Sequence, residues 1–341
     1  MTTRILLAVV LIASCAYIAG AKTYPTLYNW LHPTNTPEYF NWPDGFTVWD
    51  IPSSIDGNLQ KAYFYSAPGK TKRPLLISLH FWAGIYATPD PLAAYAKTYG
   101  WNYIHPDFRG PNIGTDNCLS DKVIADLDDA IEFALQNGSV DAQNIFVVGF
   151  SGGAYATLGL YAKTRHSVKA WLAWAAISDL EAWQRETAAH GNIELSDDVL
   201  RCTGSGSQID TEAAKRRSPL FWALPNVPRG RIELYAGIKD GHKGTGTVAI
   251  SHSIAYFNYL TSRYNKFDAV VDVKEAMPLL TQGSVATPLL IGDRKVFLRR
   301  DVGFASLTVF NGGHEMLPSY CFEHLLELKD DKDWGKQHGS P

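Results

Sequence analysis

Gly149-Phe150-Ser151-Gly152-Gly153 closes an apolar run, Asn144–Phe150, and opens a segment of small and apolar residues that reaches about Arg165. A serine at such a junction sits on a sharp, strained turn between strand and helix. The flanking glycines carry no Cβ, so the chain can turn tightly there and backbones can approach closely. The Ser151 hydroxyl is then held above the strand end. The N–H of Gly152, at the head of the helix, faces the space where negative charge would develop. A G-x-S-x-G pentapeptide arises by accident in about one chain in ten of this length. Its position after a strand and before a helix is what makes Ser151 the candidate nucleophile.

The rest of the chain alternates in the same way. Phe46–Ile51 and Gln60–Tyr65 read as antiparallel strands around the turn signal Ser54–Asn58. Pro74–His80 is a short apolar run suited to a buried central strand. A helix is expected over Ala93–Tyr99 and a strand over Trp101–Ile104. In Asp121–Gln136 the residues Val123, Ile124, Leu127, Ala130, Ile131 and Ala134 form one helical stripe, which Asn137-Gly138 ends. Val168–Ile177 reads as a strand, Asp179–Ala189 as a helix, and Arg231–Ala236 and Ala305–Phe310 as the last two strands. A helix from about Met316 to Leu328 closes the domain. This pattern predicts an α/β fold with a mainly parallel central sheet and helices on both faces. Residues 22–46 read as an irregular lead-in to a domain at 47–341. Residues 190–229, polar and punctuated by Gly, Ser and Pro, read as an insertion over the sheet.

An activated serine needs a base, and the base needs a group that orients it. With this kind of turn the chain order is Ser, then Asp or Glu, then His, with the partners on loops at the carboxyl ends of later strands. His314, in the glycine-flexed loop after Ala305–Phe310, is the candidate base. Asp240, just beyond Arg231–Ala236, is the preferred acid, and Asp179, beyond Val168–Ile177, is the alternative. A second amide facing the oxyanion is expected from the loop His80-Phe81-Trp82-Ala83-Gly84. Trp82 is preferred there and Phe81 is close behind.

The net charge of -3, with no basic stripe, argues against a nucleic-acid partner. No metal-ligand spacing of His and Cys occurs, and no cofactor is expected. Arg4, the apolar run Ile5–Ala13 and Ala19-Gly20-Ala21 have the form of a signal peptide at 1–21. Ile12-Ala13-Ser14-Cys15 also fits a lipobox, which would tether the protein to a membrane through Cys15. The expected location is secreted or periplasmic, or the outer membrane if Cys15 is lipidated. Of the remaining cysteines, Cys118, Cys202 and Cys321, two can form a disulfide or all can be buried thiols.

From about Thr47 onward the chain resembles the prolyl-oligopeptidase-like branch of the α/β-hydrolases. The resemblance is carried by Asp107-Phe108-Arg109-Gly110-Pro111, by the helix with Asp126, Asp128, Asp129 and Ala130, and by Gly149–Gly153, Gly237–Asp240 and Gly312–His314. It implies that Ser151, Asp240 and His314 are nucleophile, acid and base, and that Arg109 is a buried structural arginine beside the site. Peptidases of that family carry a large N-terminal propeller, for which few residues stand ahead of the first strand here. The interval between Asp240 and His314 is long for the family, which marks 266–298 as a second insertion. Single-domain secreted relatives look like carbohydrate esterases. The expected function is therefore a serine esterase acting on acyl groups of polysaccharide. The alternative is an exopeptidase or amidase of the same family, and a third reading is a binding protein that kept the fold.

Overall fold

The computed structural model describes residues 42–242, 246–281 and 283–331. The leader at 1–21, Cys15 and nearly all of the lead-in at 22–46 lie outside them. The chain opens with an antiparallel pair, β1 (Thr47–Pro52) and β2 (Leu59–Tyr65), in register from Thr47 opposite Phe64 to Pro52 opposite Leu59. Then follow β3 (Arg73–Leu79), helix α1 (Pro91–Thr98), β4 (Asn102–Pro106), α2 (Asp121–Asn137), β5 (Val140–Phe150), α3 (Gly152–Lys163) and β6 (Ala170–Trp174). Three helices come next: α4 (Leu180–Ala189), α5 (Ile193–Thr203) and α6 (Thr211–Arg216). The last part holds β7 (Arg231–Gly237), α7 (Ile250–Arg263), α8 (Val273–Leu280), β8 (Leu290–Ile291), β9 (Arg294–Asp301), β10 (Ala305–Phe310) and α9 (Pro318–Asp330).

The strands stand in the order β1-β2-β4-β3-β5-β6-β7-β10-β9-β8. From β4 to β10 every neighbouring pair is parallel, and the outer pairs are antiparallel. The central strands are buried on both faces, as parallel strands between helices must be. Alternate side chains serve the two faces. Leu75, Ile77, Val147, Trp171 and Leu234 join the core beneath α2, α3 and α7. On the other face Trp101 stacks on Phe146, Trp174 stacks on Tyr235, and Phe322 of α9 meets Tyr95 of α1 and Trp101.

The structure differs from the sequence reading or adds to it at three places. The polar segment 190–229, to which the sequence assigned no elements, contains α5 and α6, with α4 packed against both. The sheet does not end with β10, because β9 pairs antiparallel to it. Helix α7 fills a stretch to which the sequence assigned no element. Among the described residues no helix is long and apolar enough to cross a membrane.

Candidate active site

Strand β5 delivers Ser151 at the carboxyl edge of the sheet, where its φ of 56° is left-handed. A side chain rarely adopts this conformation without support. Here the Ser151 amide donates to the Trp174 carbonyl at 2.9 Å and its own carbonyl accepts from Tyr155 N–H at 3.0 Å. Ser151 stands at the N-cap of α3, where a serine hydroxyl ordinarily accepts from the first turn. It makes no such bond. Instead its Oγ lies 2.9 Å from His314 Nε2.

Gly153 is required by space: a Cβ there would stand 2.1 Å from the Leu79 carbonyl oxygen at the end of β3. The helix therefore begins pressed against the loop that leaves β3. A Cβ on Gly152 would stand 2.3 Å from the Trp82 nitrogen, so those two residues meet backbone to backbone. Gly152 heads the helix and so has no intrahelical acceptor for its N–H. The Trp82 N–H donates to no acceptor among the described residues.

His314 lies in the loop after β10, its ring against Phe150. Its Nδ1 is 2.7 Å from Asp240 Oδ2. Asp240 is buried, and its other oxygen accepts from Gly241 N–H at 2.8 Å and Val248 N–H at 3.1 Å. Both oxygens are thereby satisfied, and the carboxylate can hold the imidazole in one orientation. Thus β5, β7 and β10 bring Ser151, Asp240 and His314 into one hydrogen-bonded chain. Asp179 is not part of it. As the N-cap of α4 it accepts from Glu181 N–H and Ala182 N–H, which occupies the carboxylate elsewhere and corrects its candidacy as the acid.

Buried polar side chains lie at the carboxyl ends of β3 and β4. His80 is buried, stacked on Phe108 at 3.9 Å, with its ring nitrogens 3.0 Å and 2.8 Å from the Phe81 and Asp107 carbonyl oxygens. Burial pushes its pKa down. Burial also pushes His105 down to about 4, against the pull of Asp90. Arg109, at a left-handed φ of 80°, sends its guanidinium away to Asp56 and Asp126, with a further bond to Ser53. It ties the β1–β2 turn to α2.

Two cysteines that the sequence left unassigned form a bridge: Cys118 is bonded to Cys202, and Cys321 is a buried free thiol. Three residues near the site had no sequence signal. Thr247 places its hydroxyl 3.4 Å from His314 Nε2. Asp198 accepts from the Trp82 indole N–H at 3.2 Å. Asn112 donates its backbone N–H to the Trp82 carbonyl at 2.9 Å. Among the described residues no group of His, Cys, Asp and Glu is arranged to hold a metal ion.

No family model matches this sequence, and a search of curated proteins finds no match. Solved structures do resemble it. A puromycin-hydrolyzing peptidase of Mycobacterium tuberculosis superposes with a TM-score of 0.55 at 15% identity, over 90% of this chain and 41% of that one. Prolyl oligopeptidase B of Galerina marginata, bound to a 35mer substrate, gives 0.53 at 15% identity over 86% and 36%. An acylaminoacyl peptidase of Pyrococcus horikoshii gives 0.52 at 16% identity over 70% and 37%. This chain spans between 36% and 41% of the length of those proteins. At such identities the likeness is one of fold, and the fold is that of an α/β-hydrolase.

Proposed function

We propose that the chain is a serine hydrolase that cleaves acyl bonds through a covalent acyl-enzyme. The observation that carries this reading is the unbroken run Ser151 Oγ, His314, Asp240, at 2.9 Å and 2.7 Å. In the first step Ser151 Oγ attacks the substrate carbonyl carbon while its proton passes to His314 Nε2. Asp240 holds the ring and stabilises the imidazolium as it forms. The carbonyl electrons collect on oxygen, where the Gly152 and Trp82 amides donate to them. His314 then gives its proton to the leaving group, and water repeats the sequence to free the acid.

As to the bond cleaved, a small amide or peptide is the better supported substrate. The three solved structures reported above are peptidases by their names, one acylaminoacyl, one puromycin-hydrolyzing and one prolyl. Acylated polysaccharide remains as the competing substrate, on the sequence argument alone. The Cys118–Cys202 bridge supports export, since such bridges persist in oxidising compartments.

The test compares the protein with Ser151→Ala on two panels, aminoacyl and acylaminoacyl p-nitroanilides and acetylated or feruloylated polysaccharides. Ser151-dependent release from the anilides is the expected result. Turnover of the polysaccharides alone would move the assignment to the esterase, and no Ser151-dependent turnover of either would remove the hydrolase reading.

A further inference from the structure

Trp82 is gripped at three points by elements that one covalent bond joins. Its carbonyl accepts from the backbone N–H of Asn112 at 2.9 Å and from the Asn112 side chain at 3.3 Å. The Asn112 side chain is buried, and its oxygen accepts from the Cys118 N–H at 3.0 Å. On the opposite side the Trp82 indole donates to Asp198 of α5. That carboxylate is buried too, and its second oxygen pairs with Arg201 one turn on. Cys202, four residues after Asp198 on the same helix, is bonded to Cys118. The bridge therefore fastens the loop that holds the Trp82 carbonyl to the helix that holds its indole. Arg217 reinforces the join by donating to the carbonyls of Thr115, Asn117 and Cys118.

The indole also packs edge-on against Trp183 of α4, at 4.6 Å between ring centres. Among the described residues no hydrogen bond joins Asn112, Asp198 or the two cysteines to Ser151 or His314. What the arrangement fixes is the position of one backbone amide, which lies against Gly152.

We infer that Asp198 and Asn112 are positioning residues for the Trp82 amide, and that the Cys118–Cys202 bridge locks them in place. The inference rests on the proposed hydrolase reading. A hydrogen bond to an oxyanion depends on the donor standing where the charge forms, and removing such a donor costs about 10²–10³-fold in kcat. A misplacement of about 1 Å far from the chemistry can cost about 10²-fold. The inserted helices α4 and α5 thus serve the chemical step from outside the reacting atoms.

The experiment measures kcat, KM, the pH profile and inhibition by a boronic acid, which forms a tetrahedral adduct on the serine. It uses the whole protein and the variants Asp198→Leu, Asp198→Asn and Cys118→Ala/Cys202→Ala. The Leu and double-Ala variants are expected to lose about 10- to 100-fold in kcat with KM little changed. They should bind the boronic acid more weakly by a similar factor and keep the acid limb of the pH profile where it was. Asp198→Asn retains an acceptor for the indole and should stay within about threefold of the parent protein. A rise in KM with kcat kept, unchanged boronic acid affinity, or an Asn variant as impaired as Leu overturns the inference. Should the double-Ala variant fail to fold, the contrast between Leu and Asn decides alone. A parent protein without Ser151-dependent turnover defeats the hydrolase reading and this inference together. Unimpaired variants beside an active parent defeat the inference only.

Discussion

Ser151 combines a left-handed backbone, an N-cap position and a hydroxyl turned away from the helix it begins. Such a backbone costs of the order of 1–3 kcal/mol in a residue with a Cβ. Ser151→Gly is therefore expected to abolish turnover yet raise stability by about 1 kcal/mol, as read by urea unfolding. Asp240→Asn should keep the fold and lower kcat by up to about 10⁴-fold, because the imidazole loses the partner that sets its tautomer. Asp179→Ala should cost about 1 kcal/mol through the lost cap and leave kcat within about twofold. Equal losses of kcat in those last two variants would break the assignment of the acid. Ser151 and His314 were legible in the sequence because local glycine patterns mark their turns. The Trp82 amide was only half legible, since a backbone group leaves no side-chain signature. Asp198 was not legible at all: it reaches Trp82 across 116 residues, and nothing local distinguishes it from a solvated helix charge.

The central strands were readable because burial on both faces leaves unbroken apolar runs, as in PLLISL of β3. Strand β9 was missed for the opposite reason. Its sequence RKVFLRRD buries Val296 and Leu298 in a short apolar run, Val296–Leu298, with charges on both sides of it, as suits a strand near the sheet edge. Helix α7 begins at Ala249 without a capping side chain and is rich in aromatic and β-branched residues, so propensity did not announce it. Strand β7 hides a charge in an apolar setting. Glu233 is fully buried and meets Arg231, Tyr235 and His324 of α9. Burial would push its carboxyl up, but His324, Arg231 and Tyr235 together hold it far below the usual range. For His324 burial works against the charge, and Glu233 and Glu327 outweigh it, so its pKa is raised. The His324 contribution is then full below its unfolded value of about 6.5 and fades as pH rises through the folded one. The Glu233 contribution is present above its unfolded value of about 4.5 and fades as pH falls below it. Stability should therefore peak between those values and decline on the alkaline side, and His324→Leu should remove that decline. The same variant should cost less than the about 3–5 kcal/mol of an uncompensated buried charge, because Arg231 still faces Glu233. Urea titrations across pH read both effects.

At the scale of the whole molecule, the Cys118–Cys202 bridge spans a sequence separation of 84 residues that contains α2, β5, α3, β6, α4 and most of α5. Cross-linking a loop of that size stabilises by about 2–4 kcal/mol, chiefly by restricting the unfolded chain. The double-Ala variant should melt correspondingly lower in calorimetry, while reductant added to the folded parent should act slowly because both sulfurs are buried. The order of strands across the sheet carries one further meaning, and it concerns time. Ser151 follows a strand in mid-sheet, but Asp240 and His314, its acid and base in the proposed mechanism, follow β7 and β10, and β10 is held between β7 and the late strand β9. A chain emerging from the ribosome, or cut short before residue 305, holds a serine with no base to activate it. If the proposed mechanism holds, competence waits for β10, and in a refolding experiment the return of turnover should trail the return of helix and sheet.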